Sequence, residues 1–159
     1  EPKEFCWPTQ PHEGSGLRQL SKEAMFVHLV GHLAEQHTFL TVNWLVDIDL
    51  YLRKYGDYLN WEKVKDLTSD LKLKNSLLLT LWATEKYLKT PIPKAIADLT
   101  EKSLLKTIFL KYLLTSEYLW NARGHFFKYQ IIKHLTKDKL KDAFIYYWLW
   151  IKQGAWIND

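Results

Sequence analysis

The chain has 159 residues, 47% of them hydrophobic and 15% aromatic, with 22 Lys/Arg against 18 Asp/Glu for a net charge of +4. That size and apolar content allow one substantial core and leave two domains cramped. Eight Trp, nine Tyr and seven Phe against six Gly and five Pro exclude a disordered chain, and the single Cys6 excludes an intramolecular disulfide and a cysteine-based zinc cage.

In chain order, residues 1 to 20 hold three of the five prolines together with Gly14 and Gly16, which predicts an irregular lead-in. Ser21 is a candidate N-cap with Glu23 in the first turn, and a helix is expected from Ala24 to Gln36, interrupted only by Gly31. A second follows from Phe39 to Tyr55, with Trp44, Ile48, Tyr51, Leu52 and Tyr55 on one stripe. The short loop between them predicts antiparallel packing. Asn60 caps a helix from Trp61 to Leu71, and Asn75 to Lys89 forms another before Pro91-Ile92-Pro93. Beyond this linker, helices are expected from Thr100 to about Trp120, from Phe126 to Leu135, and from Asp138 to Gln153. The last carries the cleanest apolar stripe, including Tyr147, Trp148 and Ile151. No strand alternation competes, so the expected fold is all-α, an array of about seven or eight packed helices forming a single domain over residues 21–159.

The longest apolar run, Phe144 to Ile151, is far short of the roughly 20 residues a bilayer span requires, and no secretory leader opens the chain. With one cysteine, a cytoplasmic location is expected. The start at Glu1 points to a processed or truncated product. Residues 1 to 60 carry net charge −3 and residues 61 to 159 carry +7, but the lysines of the basic part fall at scattered helical spacings. They read as a solvated surface, and a nucleic-acid partner is not expected.

Four residues stand out for chemistry. At about 100° per residue, His28, His32 and Glu35 share one face of the first helix, with Gln36 beside them. Asp47 on the neighbouring helix, or His37 at the turn, would complete a set able to hold a divalent metal. The plainer reading is that these groups hydrogen-bond across the helix pair or face water. Asp47-Ile48-Asp49, preceded by Gly14-Ser15, has the look of a two-magnesium Asp-x-Asp pair, but on a helix the two carboxylates diverge by about 160° and Asp49 is better placed to pair with Arg53. Arg123-Gly124-His125 carries the residue types of a helical ribonuclease pair, but the glycine between them breaks the spacing.

Leu20-Ser21-Lys22-Glu23, His28 and His32 with His37, Trp44-Leu45-Val46-Asp47-Ile48, Asn60-Trp61-Glu62 and Pro91-Ile92-Pro93 together resemble the uncharacterised nucleotidyltransferase family, in which a polymerase-beta-like core is followed by helices. The resemblance covers residues 20–93. It implies that this chain is the helical region only, a non-catalytic carboxy-terminal part that positions substrate or acts as scaffold and is inactive alone. Its partner would be a missing amino-terminal nucleotidyltransferase core, where the nucleoside triphosphate and magnesium would bind, so no cofactor is expected in this chain. A homo-oligomer is left open. Two alternatives are an interaction module using the aromatic-rich last helix, with Trp150 as its anchor, and a metal-dependent hydrolase built on His28, His32, Glu35 and Asp47.

Overall fold

In the computed structural model, residues 6–12, 14, 16–39, 41–93, 96, 105–120, 125–137 and 148 are described. The lead-in holds a feature that the sequence pattern does not show. Strands β1 (Thr9–Pro11) and β2 (Arg18–Leu20) pair antiparallel, with Thr9 opposite Leu20 and Pro11 opposite Arg18. Three residues are too few to display a period of two, which is why alternation is silent here. Gly14 at φ +77° and Gly16 at φ +66° reverse the chain in a region of backbone space that only glycine enters freely. Arg18 Nε donates to Thr9 Oγ1 at 2.7 Å, and Ser21 N donates to Pro8 O at 2.9 Å, tying the hairpin to the first helix.

Helix α1 (Lys22–Gly31) begins as expected, with Ser21 Oγ accepting from Ala24 N at 3.2 Å. It then widens into a π-helical turn over His32–Gln36 instead of running on as α-helix. Thr38 (φ +47°) and Phe39 (φ +58°) follow in the left-handed region, and α2 (Val42–Tyr55) opens three residues later than periodicity predicts. Two crossings fix the sense of the α1/α2 pair. The ring of Trp44, at the start of α2, lies 4.9 Å from that of His32, and Tyr51 Oη, near its end, donates to Lys22 O at 2.9 Å. The helices are therefore antiparallel, as expected from the short loop. Leu45, Ile48 and Leu52 form the buried seam of α2, with Trp44 and Tyr51 packed half-buried beside it.

A 3-10 turn (Gly56–Tyr58) leads into α3 (Trp61–Asp70), capped by Asn60 Oδ1, which accepts from Lys63 N at 3.1 Å. Helix α4 (Lys74–Leu88) is the centre of the array: α1, α2, α3 and a later helix all pack on it. Its buried residues include Asn75, Ser76, Leu77, Leu79, Thr80, Leu81, Ala83 and Thr84, so they run around most of its circumference. Among its small polar members Thr84 returns its hydroxyl to the helix itself, donating to Thr80 O at 3.1 Å, whereas the buried hydroxyls of Ser76 and Thr80 have no hydrogen-bond partner. Lys89 (φ +57°) ends it before Pro91.

Beyond the proline pair lie α5 (Leu105–Leu113), α6 (Ser116–Trp120) and α7 (Phe126–Leu135). The single helix expected up to Trp120 is broken at Thr115, whose hydroxyl accepts from Tyr118 N at 3.3 Å and restarts the chain as α6. The all-α expectation is met by seven α-helices among the described residues, with a β-hairpin where an irregular lead-in was expected. The expected cap Thr100, Arg123, Trp150 and most of the expected last helix lie outside the described residues; Trp148 is helical and exposed. Among the described residues no helix is long and apolar enough to cross a membrane.

Candidate functional site: a histidine and tryptophan cleft

His28 and His32 stack with ring centroids 6.0 Å apart and an interplanar angle of 20°. They line a cleft of ≈ 260 Å³ together with Trp7, Glu35 and Gln36, over a floor made by Val27, Gly31, Leu71 and Leu73. Trp7 reaches in from ahead of the hairpin and meets His28 edge to face at 5.9 Å. Gly31 allows the floor to close, because a Cβ there would stand 3.1 Å from Leu73 Cδ1. The cleft is thus assembled from the lead-in, α1, the π-turn and the α3/α4 connection.

Behind the cleft the ring cluster continues. His37 Nε2 lies 3.0 Å from His32 Nε2, the two rings nearly perpendicular at 77°, and His37 stacks on Trp44 at 4.3 Å. Burial, with the neighbouring His32 adding to it, holds the His37 imidazole below the usual histidine range. A neutral His37 suits the pair, since an N–H to N contact requires one nitrogen to carry no proton.

Glu35 lines the cleft, but its carboxylate forms an ion pair with Lys137, a residue 102 positions later that no helical periodicity could connect to it. Asp47 does not join. It is exposed on α2 and absent from the cleft wall. The face expected from the sequence therefore contracts to His28, His32 and Glu35, and gains His37, Trp7 and Trp44. His37 is the turn residue that the sequence offers to complete the set. Trp7 carried no signal, because it sits in a proline-flanked stretch without periodicity.

The residues present do not fit a two-magnesium centre. Asp47 and Asp49 stand on one continuous helix, and Asp49 Oδ1 is held at 2.7 Å by both Arg53 Nε and Thr90 Oγ1. Among the described residues no group of three or more His, Cys, Asp or Glu is placed to hold a metal. His125 pairs with Glu117 at 3.4 Å and leans on the Tyr118 ring. A second depression of ≈ 350 Å³ between α3 and α4 contains the mutually paired Glu62 and Lys65 and has no aromatic wall.

The family model described as "Uncharacterised nucleotidyltransferase" matches residues 1–89, more than half of the chain. The chain belongs to this family. No curated protein and no solved structure matches it. The family match corrects three expectations. The resemblance is not confined to a helical stretch from Leu20 to Pro93, because the match starts at residue 1 and takes in the β1/β2 hairpin. The reading of the chain as a non-catalytic carboxy-terminal portion falls with it, since the family region is the amino-terminal part of this chain. So does the missing amino-terminal core as partner: the family region lies within the chain. The physical reason is the hairpin. Its strands are too short to register as strands, so residues 1–20 read as an irregular lead-in, whereas Ser21 N to Pro8 O and Trp7 against His28 bind the hairpin and Trp7 to the helices.

Proposed function

We propose that this member of the nucleotidyltransferase family binds a nucleotide in the His28/His32 cleft, with the base held among its rings. The observation that carries this is the cleft's makeup. Its walls are flat and π-rich (Trp7, His28, His32), its floor is apolar, and Glu35 and Gln36 place hydrogen-bonding groups at the rim. A nucleobase is a planar ring with polar edges, and ring stacking contributes about 1–3 kcal/mol per base. At ≈ 260 Å³ the cleft lies near the lower end of the roughly 300–1,000 Å³ range of small-molecule sites, a size suited to a base more than to a whole triphosphate. We take residues 21–159 as one helical unit, because α5 packs on α4 and Tyr118 reaches back to Thr38. A cytoplasmic setting fits the single, exposed Cys6.

The test is titration of the protein with ATP, GTP, CTP and UTP, read by tryptophan fluorescence and calorimetry. At least one triphosphate is expected to bind, and Trp7→Ala to weaken it by roughly tenfold, the equivalent of about 1.4 kcal/mol of lost stacking. Absence of binding by all four, or affinity unchanged in Trp7→Ala, would overturn the reading.

A further inference from the structure

We propose that His32 and His37 form a two-imidazole site for a d-block cation of the zinc, nickel or copper class. The two Nε2 atoms face each other at 3.0 Å. Zinc binds imidazole nitrogen at about 2.0–2.1 Å, so two ligands on one ion at that separation subtend about 94°, close to adjacent positions of an octahedral or square site. A tetrahedral ion needs the nitrogens about 3.3 Å apart, an opening of a few tenths of an ångström. The ion would sit about 1.4 Å off the line between the nitrogens, within reach of small ring rotations.

The backbone carries the second, independent observation. On an α-helix, residues five apart are separated by about 140° and cannot meet. Here His37 N donates to His32 O at 3.2 Å, the i to i+5 bond of a π-turn, and this wider turn brings residue 37 back over residue 32. The chain then passes through two consecutive non-glycine residues at positive φ, Thr38 and Phe39. A β-branched residue in that region is an outlier, and such strain persists only where the surroundings impose it. They do: Phe39 is fully buried, and Tyr118 Oη donates to Thr38 O at 2.9 Å. The His37 ring is further held by stacking on Trp44. Neutral imidazole is the ligand form, and nitrogen donors select these ions over magnesium or calcium, which take oxygen. His32 also lines the cleft, which leaves the remaining coordination positions to water or to a polar atom of a bound molecule.

The inference does not depend on a nucleotide in the cleft, and its test omits nucleotide. The metal-stripped protein is titrated with Zn²⁺ by calorimetry and with Co²⁺ by visible absorption. One equivalent is expected to bind to the native protein. His32→Gln and His37→Gln are each expected to weaken it by more than about tenfold, while His28→Gln stays within about twofold. No binding to the native protein, binding that survives His37→Gln, or binding that depends on His28 and not on His37 would overturn the site. Should the variants lose their near-ultraviolet dichroism, the nitrogen NMR resonances of the native protein decide. Zn²⁺ must then shift Nε2 of both His32 and His37, and unchanged resonances reject the proposal.

Discussion

Tyr51 shows at the residue scale how one group can join local helix pattern to tertiary packing. Its ring stacks on Phe26 at 6.1 Å and its hydroxyl donates to Lys22 O, so it clamps the first turn of α1 onto α2. Burial first, then the neighbouring Tyr55 and Glu23, push its phenol up to about 12. An acid whose folded value lies above its unfolded value of about 10 stabilises the fold fully below that unfolded value and loses this contribution as pH rises through the folded one. Stability should therefore fall between about pH 10 and 12. In Tyr51→Phe, which cannot ionise there, the decline measured by urea unfolding at stepped pH should be shallower. An equal slope in both proteins would remove Tyr51 from the account. The stripe containing Tyr51 was legible in the sequence from its 3 and 4 spacing; the carbonyl that accepts its hydrogen bond, 29 residues away, was not.

The decisive element is the connection from α1 to α2. Helical periodicity reads straight through to Gln36, because a π-turn uses the same residue types as an α-turn and differs only in which carbonyl each N–H finds. Choosing the wider turn forces Thr38 and Phe39 into left-handed backbone, at a cost of about 1–2 kcal/mol each. Thr38 also buries its hydroxyl without a hydrogen-bond partner. Thr38→Gly should relieve both penalties. Lost methyl burial and the greater freedom of glycine in the unfolded chain offset part of the gain, leaving a net stabilisation of about 1 kcal/mol. Thermal unfolding reads this as a rise of about 2–4 °C, and a fall would mean that the turn is not strained at this residue. The hairpin gives a similar lesson. Gly14 and Gly16 are visible as turn residues, but three-residue strands carry too little alternation to be recognised, and so the sequence predicts an irregular lead-in where a hairpin forms.

Across the whole molecule, the later helices hold the family-matching part in shape through a few long-range bonds. Tyr118, fully buried on α6, donates to Thr38 O across 80 residues, and Tyr87 Oη donates to Leu114 O. Lys137 reaches Glu35 at the cleft, and Asn75 Nδ2 donates to Lys137 O at 3.3 Å. Tyr118→Phe removes a buried donor and leaves a buried carbonyl short of its partner, so it should destabilise by about 1–3 kcal/mol. If the bond also shapes the π-turn, the same variant should weaken Zn²⁺ binding, although it touches neither histidine. Unchanged stability and unchanged Zn²⁺ affinity would show the two halves to be independent. By itself the sequence determined the all-α class, the caps at Ser21 and Asn60, the bounds of α7, the shared face of His28 and His32, and the separation of Asp47 from Asp49. All of these follow from interactions within a few residues along the chain. Tertiary structure decided the rest: that Trp7 closes the cleft, that Lys137 takes up Glu35, and that a widened turn sets His37 against His32. Those outcomes depend on contacts between distant segments and on a choice between nearly isoenergetic backbone hydrogen bonds, which local pattern does not encode.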